Sequence, residues 1–274
     1  MIKEYDIIVK LIQRYDYSGA LEIMNDQGLD SSNAAVLMDS CRYAINFDFS
    51  TAKKLLRTLP QDLQKETEIK WLKENLKELI DGEIETMFSE LLENIRFKIV
   101  NQEYIDFLGR INRCREAIFK YMFVKKHINR TQFTFHVEVM QKRYILKMLR
   151  KQYKIYNNNI VFGITTYINR NMKVDYKYSE VVKVLNSAKM SDLIELRNDS
   201  IVGHGFVGVG KEEIYKAYGN PYWIIDDFKT CLSLLDLDIE ARKYDRINRL
   251  IARELELLSR ASSPSYMGEH YTFE

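Results

Sequence analysis

Apolar residues recur at helical spacing along almost the whole chain, and this periodicity limits the fold more than any other feature. Over residues 4–14 they fall three and four apart. Residues 64–82 read as one charged amphipathic helix whose stripe is Ile69, Leu72, Leu76, Leu79 and Ile80. Residues 83–94, 104–129, 137–156 and 237–259 read as further helices, the second carrying Ile105, Leu108, Ile111, Ile118 and Met122. Only 3 Pro and 11 Gly occur in 274 residues, too few for a β-sandwich with a turn every ten positions or so. Two segments carry a β signal: 131–140 alternates in period two, and 159–168 is rich in β-branched residues, so either can form a short strand. The expected class is all-α.

One internal echo is present. Tyr15-Asp16-Tyr17-Ser18-Gly19-Ala20 matches Phe47-Asp48-Phe49-Ser50-Thr51-Ala52 at an offset of 32 residues, and each string opens an apolar-periodic helix. Aspartate before such a helix is a sensible N-cap. A repeat of this length points to stacked helical hairpins, and two copies fit a layer resting on the rest better than an independent solenoid. The expected organisation is a helical layer over 1–82, a helical core over 83–260 and an irregular tail over 261–274.

Cys41, Cys114 and Cys231 lie far apart with no CxxC pair, the habit of a reduced protein. The charged start Met1-Ile2-Lys3-Glu4 lacks a signal-peptide core, and no stretch approaches the roughly 18 apolar residues of a membrane span. A cytoplasmic protein without membrane contact is expected.

The net charge of +2, from 41 basic and 39 acidic residues, argues at first against a polyanionic partner. Along the chain the balance is uneven. Residues 107–173 hold 15 basic and 2 acidic side chains, a charge of +13, and the remainder holds 26 and 37, a charge of −11. Tyr144, Tyr153, Tyr156 and Tyr167 in the basic block are candidates for stacking on unpaired bases. Arg113, Lys147, Arg150 and Lys151 are the candidate RNA contacts, against the plainer alternatives of a solvated face or ion pairs such as Arg113–Glu116.

The segment richest in chemistry is Ser191-Asp-Leu-Ile-Glu-Leu-Arg197-Asn198-Asp-Ser-Ile-Val-Gly203-His204-Gly205. Ser191 reads as an N-cap, and Gly203 and Gly205 as marks of a left-handed helix C-terminus. On a continuous helix Arg197 and His204 share a face within about 20° and stand about 10 Å apart along the axis, so direct contact requires the end to unwind. His is the natural proton carrier near neutral pH, and Arg offers a fixed fork of donors to phosphate oxygens. RNA brings its own nucleophile, the 2′-OH, and needs no metal. The candidate roles are Arg197 on the scissile phosphate, His204 on a proton, and Asn198 orienting the arginine or the RNA, giving 2′,3′-cyclic phosphate and 5′-OH ends. The plainer alternative is a histidine that merely caps the helix dipole. His127, His136 and His270 have no ligand partner at metal spacing, the first expected at the surface and the second in the core. The glycine run 205–210 follows a helix and fails the context of a phosphate loop, so neither metal nor cofactor is expected.

The string Leu196-Arg197-Asn198, then Ser200-Ile201, then His204-Gly205 resembles the signature of the HEPN ribonucleases, in which Arg precedes His by four to six intervening residues and is often followed by Asn. It is most similar to the ancillary ribonucleases of type III CRISPR systems. The Asp16 and Asp48 echo and residues 107–117 also resemble that family's helical region. The resemblance implies a HEPN-type helical bundle with an N-terminal helical-hairpin layer. It also implies an endoribonuclease of antiviral defence acting on single-stranded RNA, with Arg197, Asn198 and His204 catalytic and a homodimer whose two motifs share one composite site. Such enzymes carry a Rossmann-like sensor for cyclic oligoadenylate, and no strand–helix alternation of that kind occurs in this chain. The chain is then an isolated effector half or a stand-alone HEPN protein. The alternatives are a catalytically inactive HEPN domain that binds RNA or a protein, and a helical scaffold with a protein-binding groove.

Overall fold

The computed structural model describes residues 4–127, 133–172 and 175–261. Among them the chain forms fifteen α-helices, one 3-10 turn and no strand, so the all-α expectation holds. The helices are α1 (Tyr5–Gln13), α2 (Tyr17–Asp26), α3 (Asn33–Ile45), α4 (Phe49–Leu55), α5 (Gln61–Gln64), α6 (Thr67–Asp81), α7 (Ile84–Val100) and α8 (Tyr104–His127). They continue with α9 (Lys142–Tyr153), α10 (Ile160–Asn171), α11 (Tyr176–Leu185), α12 (Ala188–Asp199), α13 (Lys211–Ala217), α14 (Tyr222–Leu234) and α15 (Lys243–Ala261). No helix of the described residues is long and apolar enough to cross a membrane.

Both β signals are overruled. Residues 159–168 enter α10, whose first turn is capped by Asn159 Oδ1 accepting from Phe162 N at 3.2 Å. Ile160, Ile164, Tyr167 and Ile168 are buried at helical spacing, so tertiary burial outweighs the β-branched preference. Of the other segment, Thr131 and Gln132 lie outside the described residues, and the remainder is irregular before the 3-10 turn Glu138–Met140. There Phe135 N–H donates to Gly82 O at 2.8 Å, and His136 Nε2 donates to Ile80 O at 3.0 Å. His136 is exposed rather than a core residue.

The echo is a repeated helix junction. Tyr15 and Phe47 both adopt left-handed backbone, φ 61° and 64°, and the aspartate after each closes two helices at once. Asp16 N–H donates to Leu11 O at 2.9 Å and Asp48 N–H to Tyr43 O at 3.0 Å, the six-to-one bond of a Schellman ending. The carboxylates then cap the next helix, accepting from Gly19 N at 2.9 Å and Thr51 N at 3.0 Å. The backbone bond to Thr51 holds the Asp48 carboxyl below its ordinary range. The same ending, with a left-handed residue next, closes α2 at Gly28, α6 at Gly82, α7 at Gln102 and α14 at Asp236. Four of these six left-handed positions are not glycine, which is how a glycine-poor chain turns so often.

The chain divides into two units. One comprises Met1–Leu76 with Lys243–Glu274, the other Lys77–Arg242. In the first, α1 pairs with α2 and α3 with α4, and α15 lies against α1 and α3. Tyr244, Ile247, Ile251 and Leu255 of α15 are buried there, with Tyr17 Oη donating to Asn248 Oδ1 at 2.8 Å and Asn248 Nδ2 to Ile12 O at 2.7 Å. This helix therefore joins the N-terminal layer, although its place in the chain suggested the core. Residues 262–274 of the expected tail lie outside the described residues.

In the second unit α8 is central, packing on α7, α9, α10 and α12 through Phe107, Ile111, Cys114, Ile118 and Met122. The extended stretch after α14 is tied along α7. The N–H groups of Asp238, Glu240 and Arg242 donate to Glu85 Oε1 (3.0 Å), Ser89 Oγ (3.0 Å) and Glu93 Oε1 (2.6 Å). The registers match because two extended residues advance about 6.6 Å and four helical residues about 6 Å.

Gln102 is exposed at a left-handed position, so Gln102→Gly should stabilise the protein by about 0.5–1 kcal/mol, the conformational relief exceeding glycine's added freedom when unfolded. Gly82→Ala should destabilise it, since a Cβ there is strained at φ 76° and falls 2.6 Å from the His136 ring. Urea unfolding of the two variants checks both signs.

Candidate functional site

The Arg197–His204 segment is built on α12, and its start is fixed by an arginine from the core. Arg115 Nε donates to Leu185 O at 2.7 Å and its Nη2 to Asn186 Oδ1 at 2.5 Å, closing the end of α11. Burial lowers the Arg115 pKa to about 10, still charged at neutral pH. Ser187 follows as the N-cap of α12, accepting from Met190 N at 3.3 Å. Ser191, expected to be that cap, lies inside the first turn with its Oγ donating to Ser187 O at 3.1 Å. Met190 and Leu193 are fully buried, and α12 packs on α8 and α13.

The helix stops at Asp199, earlier than the position of the glycines suggested. Arg197 thus sits in the last turn, and His204 lies in the following loop rather than on the same helical face. The loop folds back over the helix end. Ser200 Oγ donates to Arg197 O at 2.8 Å, His204 N to Asn198 O at 2.8 Å and Val207 N to Asp199 O at 2.9 Å. Three successive carbonyls left open by the helix end are satisfied in this way.

Gly203 and Gly205 are needed for a reason other than left-handed backbone; neither has positive φ. A Cβ on Gly203 would fall 2.4 Å from both Arg197 O and Asn198 O, and one on Gly205 would fall 2.0 Å from Asp199 O. All of these obstacles are backbone, which cannot swing aside. The two glycines flanking His204 let the loop lie directly on the helix end.

Arg197 is half-buried. Its Nη1 donates to the neighbouring Asn198 Oδ1 at 3.2 Å, and its Nε–H is shielded from water with no acceptor among the described residues. A buried donor left unmatched costs about 1–3 kcal/mol, so an acceptor brought by a ligand or a partner has a gain to offer here. His204 is exposed. Around it Ile201 is 68 % exposed, Phe206 92 % and Val207 55 %, three large apolar side chains on one pinned loop.

The candidate RNA contacts separate into two kinds. Arg113 is exposed on α8, 3.6 Å from Glu116, as the ion-pair alternative foresaw. Lys147, Arg150 and Lys151 are exposed on α9 with Lys142 and Arg143, Lys154 follows just past its end, and no acidic residue interrupts that helix. Arg150 also bonds to Asn158 Oδ1. Other members of the basic block serve the fold: Lys125 donates to Leu235 O at 2.8 Å, Lys126 lies 3.3 Å from Asp175, and Lys120 lies 2.7 Å from Glu116. Arg130 and Lys173 lie outside the described residues.

Of the four tyrosines, Tyr156 is 75 % exposed and Tyr144 half-buried. Tyr153 and Tyr167 instead pack together with ring centroids 4.6 Å apart. His127 completes that cluster, stacked at 4.1 Å on Phe123 with Nε2 2.6 Å from Tyr153 Oη, so it is not the surface histidine expected. His270 lies outside the described residues. No group of three or more His, Cys, Asp or Glu among the described residues is placed to hold a metal ion. The three cysteines are buried, and burial raises the thiol pKa of Cys114 and takes that of Cys231 to about 12.

Sequence reasoning gave no role to Arg115 or Ser187, and none to Ser200 although it stands within the signature string. Serine is as common in turns as in sites, and only the tertiary structure shows which carbonyl a hydroxyl reaches. No family model, curated protein or solved structure matches the chain.

Gly205→Ala should lift the loop from α12 and speed hydrogen exchange of the His204 and Val207 amides by about tenfold or more. Gly208→Ala, where a Cβ meets open space, should leave both amides protected.

Proposed function

We propose that the end of α12 and its folded-back loop form the active site of a metal-independent endoribonuclease acting on single-stranded RNA. The observation that carries this reading is the pairing of an arginine whose Nε–H has no acceptor among the described residues with an exposed histidine whose backbone is bonded to the next residue, Asn198. Arg197 supplies charge-assisted hydrogen bonds to the scissile phosphate and stabilises the negative charge that accumulates on it. Asn198, through its Oδ1 on Nη1, limits the rotation of the guanidinium. The 2′-OH oxygen attacks phosphorus as its proton leaves, and the P–O5′ bond breaks as that oxygen takes up a proton. His204 performs one of these two transfers. The products are a 2′,3′-cyclic phosphate and a 5′-OH end.

A single histidine serves one transfer, so the reading includes a homodimer in which a second copy supplies the other. Ile201, Phe206 and Val207, exposed beside His204, form the apolar surface that such pairing would cover. The cationic face of α9 offers sequence-independent attraction to the RNA backbone. The resemblance of the Arg197–Gly205 string to the HEPN ribonucleases of type III CRISPR systems sets this chemistry in antiviral defence in the cytoplasm. In full-length members of that group, control by cyclic oligoadenylate comes from a separate sensor domain.

In EDTA, the protein should cut unstructured RNA, and His204→Ala should slow cutting by about 10²–10⁴-fold, the usual worth of a general acid or base. A single 2′-deoxy substitution at the cut site should abolish the cut there. Uncut RNA at high enzyme concentration, or equal cutting by His204→Ala, overturns the reading; RNA bound but intact points to an inactive binding domain. Replacing Lys147, Arg150 and Lys151 together by Gln should weaken RNA binding and flatten the slope of log K against log salt by about 2, given roughly 0.7 per lost contact on single strands.

A further inference from the structure

We infer that Ser200 is a positioning residue, a helix stop that sets where His204 stands relative to Arg197; this rests on the ribonuclease reading above. Ser200 is 0 % exposed, although the residues on either side of it are exposed. Every polar group it has is engaged. Its Oγ–H donates to Arg197 O at 2.8 Å, and its N–H is shared between Leu196 O at 3.1 Å and Arg197 O at 3.3 Å. Its carbonyl accepts from Gly203 N at 2.8 Å and Gly205 N at 3.3 Å, the two residues that flank His204.

In a helix that continued, the carbonyls of Arg197, Asn198 and Asp199 would accept from the N–H groups of Ile201, Val202 and Gly203. Here each takes a different donor: Ser200 Oγ, His204 N and Val207 N. The hydroxyl of Ser200 thus occupies the first acceptor that the next helical turn would need, and the chain leaves the helix with Ser200 extended at φ −87° and ψ 170°. The consequence is spatial. On a continued helix Asn198 O would accept from Val202 N, and the His204 amide would lie two residues, about 3 Å, further along the axis. In the folded-back loop the His204 amide lies 2.8 Å from Asn198 O. The stop therefore draws the His204 amide back by about 3 Å, roughly half a turn, onto the carbonyl of the residue next to Arg197.

The test compares Ser200→Ala, which removes the hydroxyl and favours helix, with Ser200→Gly, which removes the hydroxyl and disfavours helix. Backbone chemical shifts of residues 200–204 should turn helical in Ser200→Ala and stay non-helical in Ser200→Gly. In the cleavage assay Ser200→Ala should lose about 10–100-fold in kcat, the effect of a misplaced group, with KM within about twofold and an unchanged thermal midpoint. Ser200→Gly should retain more activity than Ser200→Ala. Native-like shifts in Ser200→Ala with wild-type kcat overturn the proposal, as does a loss of activity that merely follows a lowered thermal midpoint. If wild-type protein cuts no RNA, the ribonuclease reading falls, and the shifts alone decide whether Ser200 stops the helix.

Discussion

Each helix end exposes up to four backbone groups with no partner inside the helix, and with fifteen helices among the described residues that demand arises at nearly every joint. How the joints satisfy it determines the rest of this structure. Six helices close with the same pair of backwards bonds and a left-handed residue, and at Asp16 and Asp48 the closing residue is also the cap of the next helix. Such joints need almost no linker. They let the N-terminal hairpins stack closely enough for Tyr17 and Asn248 to bond between α2 and α15. Where the backbone does not close its own end, a partly buried cation can, as Arg115 does for α11.

The end of α12 departs from that pattern, and its departure is what makes it a candidate site. No left-handed residue closes it. A buried serine and two glycines turn the chain back so that the loop's own amides reach the open carbonyls. The result is a short, rigidly tied loop that presents an exposed histidine and three exposed apolar side chains beside an incompletely bonded arginine. Unsatisfied donors and uncovered apolar surface are both costs to an isolated chain, and both are relieved by the same kind of event, the arrival of a ligand or a second copy.

The charge of the chain divides along similar lines. On α8, Arg115, Lys120, Lys125 and Lys126 are spent on helix ends and ion pairs. On α9 the cations remain in water. The local excess of positive charge therefore has two uses, structural along the central helix and available for a polyanion along the next, and summing over the segment cannot separate them.

Much of this was legible without coordinates. The helical class, the extents of α1, α6 and α8, and the aspartate joints at 16 and 48 follow from local rules, since spacing of apolar residues and capping chemistry act within a few residues. The sequence also determines that Arg197, Asn198 and His204 lie in one short segment at a helix end. Only the tertiary structure decided that the helix ends at Asp199, because that depends on which donor wins each carbonyl. It also decided that residues 159–168 are helical, that α15 belongs with the N-terminal layer, and that His127 is packed while His136 is exposed. Each of these is settled by contacts between residues distant in the chain, and burial against a partner outweighs local preference where the two compete.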